Sequence, residues 1–205
     1  MSPEKRTYRM KQRAESQEAT RRRITESAVA LHEELGPSQT SMAAVAEHAG
    51  VQRSTLYRHF PDEAALFAAC SAHWYASHPR PDIEAWAEVT DPAARLRGGL
   101  AELYAWYRGT GTMLDHLIRD EHLVPAVGMR FGRFHDWLDD AQDLLLTGRG
   151  LRGARRTEVS ALIRVALQFE SWRALCRDGG LADEAAAELM AGLVDAAGQG
   201  RRRRA

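Results

Sequence analysis

The sequence predicts an all-α protein, on three observations. Apolar residues recur at three- and four-residue intervals along nearly the whole chain. No stretch alternates apolar and polar residues over the length of a strand. Helix-start and helix-stop residues fall at the edges of the periodic segments: Gly36-Pro37, Gly50, Asp62, "SHPRPD" and Asp91-Pro92.

Residues 1–17 read as a basic, flexible arm, and a first helix follows it with Ile24, Ala28, Leu31 and Leu35 at spacings of four, three and four, closed by Gly36-Pro37. A second lies in "TSMAAVAEHAG", where Thr40 can cap and Met42, Val45, Ala46 and Ala49 share one face. Gly50 permits a positive φ and hence an abrupt turn. The third helix is short, lies in "AGVQRSTLYRHFPDE" and stops near Pro61; its large apolar groups are only Val51, Leu56 and Phe60. Two turns of helix are not stable alone, so packing must hold this one while its polar face is presented outward. The fourth begins at Asp62, carries Leu66, Phe67, Cys70 and Trp74 on one side, and breaks near Pro79 and Pro81. That break sets a domain boundary, giving 18–80 and 81–198.

In the second domain Asp91-Pro92 opens a helix striped with Leu96, Leu100, Leu103, Tyr104 and Tyr107. A further helix holds Met113, Leu114, Leu117 and Ile118, and a longer one Phe131, Phe134, Leu138, Ala141 and Leu145. "TGRGLRGARR" reads as a glycine-rich basic loop. Two helices then close the domain, one with Leu162, Val165, Ala166, Phe169 and Trp172, the other with Leu189, Met190, Leu193 and Val194. Residues 199–205 read as a basic, disordered tail.

No apolar run approaches the roughly 18 residues of a membrane span, and the N-terminus is charged where a secretory signal would be apolar. A cytoplasmic protein with no membrane partner is expected. Cys70 and Cys176 each sit in an apolar pattern, as buried thiols do. Enzyme signatures are missing: there is no Glu-x-x-His pair for a di-iron bundle, no phosphate loop, no nucleophile elbow and no zinc pattern. Asp115, His116, Glu121 and His122 come nearest to a metal cluster, but their spacing scatters them around a helix and its end. No catalytic residue, metal or cofactor is expected.

The formal net charge is zero, yet its distribution is uneven. Between residues 1 and 25, eight basic side chains face Glu4, Glu15 and Glu18, a net +5, and four arginines close the chain. Such clusters attract polyanions. The second and third helices with their glycine turn meet the physical requirement of a helix-turn-helix, whose second helix enters the DNA major groove. Gln52, Arg53, Ser54 and Thr55 occupy its N-terminal end. Arg53 suits bidentate bonding to guanine and Gln52 suits adenine, while Tyr57, Arg58 and His59 sit where phosphates would be, as Thr40 does at the start of its own helix.

The stretch "TSMAAVAEHAGVQRSTLYRHFPDEAAL", residues 40–66, closely resembles the DNA-binding signature of TetR-family transcriptional regulators, above all in "AGV", "TLYRHF" and the following "P…AL". The likeness extends back through Ile24 and covers about the first third of the chain. It implies a homodimeric all-helical repressor: an N-terminal three-helix helix-turn-helix domain, and a C-terminal helical domain that binds a small-molecule effector and dimerises, releasing a palindromic operator in double-stranded DNA. The family's contact positions carry over onto Thr40, Gln52, Arg53, Ser54, Thr55, Tyr57, Arg58 and His59. Glu63 departs from the lysine that many members have there, and the basic arm before Arg23 is expected to bind phosphate in place of that lysine.

For the effector, Tyr104, Tyr107, Met113, Leu117, Phe134, Trp137, Phe169 and Trp172 are the candidate lining, with His116, Glu121, His122, Arg130 and His135 available to orient it. The dimer contact is expected from Leu162, Val165, Ala166, Phe169, Leu189, Met190, Leu193 and Val194. The rival reading is a dimeric, small-molecule-binding helical protein that does not read DNA.

Overall fold

A computed structural model describes residues 3–199, with side chains from Thr7 onward. Among these residues there are ten α-helices and no strand. The arginines of the 199–205 tail lie outside the described residues. By contact the chain divides into two units, 1–77 with 115–131, and 78–114 with 132–205. The stretch 81–198 is therefore not one uninterrupted body, since residues 115–131 belong with the first unit.

The first unit contains α1 (Pro3–Glu34), a 3₁₀ turn (Pro37–Gln39), α2 (Met42–His48), α3 (Arg53–His59) and α4 (Glu63–Ser77). Residues 3–17, expected as a flexible arm, are instead the first turns of α1. They are rich in good helix formers, contain no glycine, and Lys11 pairs with Glu15 one turn on. The core gathers Ile24, Ala28 and Leu31 of α1, Val45 and Ala46 of α2, Leu56 and Phe60 of the α3 segment, and Leu66 and Cys70 of α4. Between α1 and α4 the Trp74 indole donates to Glu33 at 3.1 Å, and the His32 and Phe67 rings lie 5.6 Å apart.

The end of α6 (Pro92–Asp120) and the start of α7 (Pro125–Leu146) complete this unit. Asp120 is fully buried. Its carboxylate receives the backbone N–H of Ser38 at 2.9 Å and two guanidinium N–H bonds from Arg119, which also donates to the Leu35 carbonyl. Gly36, at φ +91°, makes this closure possible, because a Cβ there would collide with Arg119 Nη2. His116, expected to orient an effector, lies here instead, its Nδ1 3.0 Å from the His32 carbonyl oxygen.

The second unit holds α5 (Ile83–Ala87), most of α6 and α7, α8 (Gly153–Leu167), α9 (Phe169–Trp172), a π turn (Arg173–Asp178) and α10 (Asp183–Gln199). Four features differ from expectation, the first being that α8 begins at Gly153, inside the 147–156 stretch expected as a loop. The short helix α5 buries Trp86, whose indole donates to Glu102 at 2.7 Å. What the sequence divides into two helices is one 29-residue helix, α6. Burial of Tyr107, Thr110, Met113 and Leu114 on either side of Gly109 and Gly111 holds it together, and a Cβ at Gly111 would stand 3.3 Å from the Trp172 ring.

The helix expected from Leu162 to Trp172 is broken at Gln168, whose backbone is extended (φ −70°, ψ 139°). Side-chain hydroxyls take over two carbonyls the break leaves over, Tyr104 donating to Ala166 at 2.8 Å and Tyr107 to Leu167 at 2.7 Å, while Ser171 donates to the Val165 carbonyl, which also accepts the Gln168 N–H. The π turn that follows ends beside Asp183, which receives Arg108 through both oxygens and the Trp172 indole at 2.9 Å.

Candidate nucleic-acid interface

The α2–turn–α3 segment is built by local bonding. Ser41, not Thr40, caps α2, its hydroxyl oxygen accepting the Ala44 N–H at 3.1 Å. Thr40 stands one residue too early and donates its hydroxyl to the Gly36 carbonyl at 2.9 Å. At the other end of α2, Gly50 N–H bonds Glu47 and Val51 N–H bonds Ala46, the paired closure of a Schellman motif. This motif requires the φ of +61° that Gly50 adopts. Gln52 is then extended, and α3 starts with no side-chain cap.

Seven residues of helix contribute little stability of their own. Leu56 and Phe60, one turn apart and both fully buried, fasten α3 to the core. A pair of buried side chains of this size contributes about 4 kcal/mol of apolar burial. The polar side chains Gln52, Arg53, Ser54, Tyr57 and Arg58 are exposed, Tyr57 at 50%. Thr55 is half-buried.

His59 behaves differently. It is half-buried, and its Nε2 is enclosed without a hydrogen-bond partner. Burial, then the adjacent Arg58 and Arg21 charges, lower its pKa, against a weaker opposing effect of Glu18. A neutral imidazole turned inward is a poor phosphate ligand, so at this end of α3 the exposed cation is Arg58. Arg21 emerges as a residue that sequence reasoning counted only as part of a basic arm. Its guanidinium donates to the His59 carbonyl at 2.9 Å and lies 4.3 Å from the centre of the Phe60 ring, tying α1 to the end of α3. The available signal was its place one turn before Ile24, on the inner face of the helix. Glu63 is exposed at the first position of α4.

Residues 24–70, which span this whole arrangement, match the family model for bacterial regulatory proteins of the tetR family. This segment is a TetR-family regulatory domain. The chain as a whole has the TetR-regulator fold. A TetR-like transcriptional regulator from Rhodococcus sp. RHA1 superposes with a TM-score of 0.57 at 21% identity, over 89% of this chain and 97% of that one. A putative TetR-family regulator from Mesorhizobium loti gives 0.59 at 19% identity, over 87% and 96%. NalD of Pseudomonas aeruginosa, described as the secondary repressor of the MexAB-OprM multidrug efflux pump, gives 0.58 at 21%, over 88% and 96%. No curated protein matches the chain.

Outside the TetR-type domain, the candidate effector residues are mostly packed against one another. Tyr107 meets Phe169 edge-on at 5.3 Å and Trp172 at 6.0 Å, and Phe134 stacks on Trp137 at 6.0 Å. Tyr104 and Met113 are buried in the same unit, whereas Leu117 belongs to the first. The candidate dimer residues separate into two sets. Val165, Leu189 and Leu193 are 48%, 47% and 50% exposed and Leu162 is half-buried, while Ala166, Phe169, Met190 and Val194 are buried in their own unit. The split follows helix geometry, since neighbouring residues such as 165 and 166 point about 100° apart. Among the described residues no cluster of His, Cys, Asp or Glu could hold a metal, and no helix is long and apolar enough to cross a membrane.

Proposed function

We propose that this chain is a homodimeric transcriptional repressor that reads a palindromic operator with α3 of each protomer and is released by a small-molecule effector. The observation that carries the reading is the division of α3 into a buried edge, Leu56 and Phe60, and an exposed edge, Gln52, Arg53, Ser54, Tyr57 and Arg58, within a TetR-type domain. An exposed polar helix face of this width fits a major groove, and the helix carries no acidic residue to repel phosphate. Arg53 and Gln52 specify bases, Ser54 and Thr55 serve base or backbone, and Tyr57 and Arg58 position the helix on phosphates. Thr40 and His59 contribute less than their sequence positions suggest, because the Thr40 hydroxyl proton is committed to Gly36 and the His59 ring is turned inward.

Two copies meet through the exposed apolar edge of α8 and α10, formed by Leu162, Val165, Leu189 and Leu193. An apolar or aromatic effector enters the second unit among Tyr104, Tyr107, Phe134, Trp137, Phe169 and Trp172, and acts by binding the DNA-incompetent state more tightly than the competent one. The test is a gel-shift series with duplexes from the region upstream of the chain's own gene, with competitor DNA present. Retarded bands that survive competitor and vanish with Arg53→Ala support the reading; binding that is equal for every sequence overturns it.

A further inference from the structure

α3 ends without a cap of its own. Phe60 follows it in an extended conformation (φ −137°, ψ 97°), with no glycine to turn the chain back, and the helix also starts without a side-chain cap. A residue of another helix supplies the missing bond. The Arg21 guanidinium donates to the His59 carbonyl at 2.9 Å, at the negative end of the α3 dipole, and lies 4.3 Å from the centre of the Phe60 ring. Both sides of this clamp are fixed: Phe60 is fully buried, and α1 is anchored through buried Ile24 and Thr25, one turn beyond Arg21. Half-buried Arg21 thus holds the C-terminal end of α3, where Tyr57 and Arg58 are exposed. Glu18 stands one turn earlier on the same face of α1, and its carboxylate repels phosphate.

We propose that Arg21 is a positioning residue for DNA binding, acting through α3 and touching no phosphate itself. The proposal rests on the regulator reading above. Burial of Leu56 and Phe60 attaches one edge of α3, but apolar contact is non-directional and leaves so short a helix free to rock about that edge. A directed bond at its end removes this freedom. Tyr57 and Arg58 then stand at fixed positions before a duplex arrives, and less conformational freedom is given up on binding. Lysine is no substitute, because an ammonium carries the charge but has no plane to lie over Phe60 while bonding the carbonyl. Phosphate capture needs the guanidinium fork turned outward, whereas this one is turned to a carbonyl and a ring, with Glu18 close by on the same face.

The probe is a duplex enriched by the full-length chain from a random-sequence pool. Arg21→Ala, Arg21→Lys and Tyr57→Phe are compared singly, and each Arg21 variant is also combined with Tyr57→Phe, at a temperature where thermal melts show the chains folded. Arg21→Ala is expected to bind about tenfold more weakly, with an unchanged slope of log K against log salt, because no phosphate contact is lost. Arg21→Lys should fall between it and the wild type. Tyr57→Phe weakens binding in the intact chain and should cost much less in the Arg21→Ala background, since a loosened helix end no longer presents that hydroxyl. If Arg21→Ala does not fold, the Arg21→Lys cycle reads the same coupling. Asp120→Asn, which lowers stability away from α3, should leave affinity unchanged. A slope smaller by about 1 per protomer makes Arg21 a phosphate ligand and overturns the proposal. Additive losses, a lysine variant equal to wild type, or an equal loss in Asp120→Asn overturn it too. A full-length chain that enriches no sequence overturns the regulator reading and the positioning role together; an enriched duplex bound equally by wild type and Arg21→Ala overturns the positioning role alone.

Discussion

The Asp120 carboxylate, entirely shielded from solvent, receives the Ser38 backbone N–H at 2.9 Å across 82 residues of sequence. Burial alone would raise its pKa, but the Arg119 guanidinium and the Ser38 N–H hold it below the usual carboxylate range. Asp120→Ala leaves that N–H unsatisfied and strands the Arg119 charge, and should cost about 3 kcal/mol of unfolding free energy in urea titrations. Asp120→Asn keeps an acceptor for Ser38 and should cost about half as much.

Gly36 should tolerate no side chain. Its φ of +91° disfavours any L-residue, and a Cβ would collide with Arg119 Nη2 and stand 2.9 Å from Asp120 Oδ2. Gly36→Ala is expected to destabilise by about 2–3 kcal/mol. Adding Arg119→Ala should not restore the wild-type midpoint in chemical denaturation, because the backbone strain persists after the steric conflict is removed.

His32 should make stability depend on pH. Burial lowers its pKa from 6.5 to about 4, against the opposing pull of Asp120. The imidazole is thus neutral in the fold, and the unfolded chain takes up the proton first. Its contribution is complete above pH 6.5 and is lost as pH falls from 6.5 toward 4, to a limit of about 3 kcal/mol. His32→Gln should flatten the unfolding free energy over that window; an unchanged slope would assign the effect elsewhere.

Tyr104→Phe and Tyr107→Phe each remove a donor from a buried carbonyl at the α8–α9 break. Each should cost about 1–2 kcal/mol with little change in packing. Amide hydrogen exchange should accelerate around residues 166–172 in both variants more than in α10.

Arg53→Ala and Tyr57→Phe should separate the two kinds of contact proposed for α3. The first is expected to relax preference at particular base pairs by about 1–3 kcal/mol, the second to weaken all sequences similarly. Binding-site selection with each variant reads the difference, and indistinguishable profiles would refute the division of roles.

The helix-turn-helix was legible in the sequence because its signals are local. Gly50 marks the turn, Asp62 caps α4 through the Ala65 N–H, and Leu56 and Phe60 are the large apolar groups within α3 itself and at its end. Even there the cap was expected at Thr40 and is Ser41, a residue type equally suited to the role one position on. The features that escaped detection depend on distant partners. Continuity of α6 through two glycines needs the burial on both sides of them, and the break at Gln168 needs hydroxyls from α6 some sixty residues away. Likewise, nothing near Asp120 announces Ser38. In the effector and dimer sets, a stripe of apolar residues showed that burial was required, without showing which partner would provide it.

The arrangement of α3 has a consequence for rewiring such a molecule. Because Leu56 and Phe60 do the fastening while positions 52, 53, 54, 57 and 58 face solvent, the capacity to fold and the choice of target proposed for α3 fall on separate letters of one short word. A combinatorial library randomised at those five positions leaves the scaffold intact, so that new target preferences can be screened without rescuing collapsed variants.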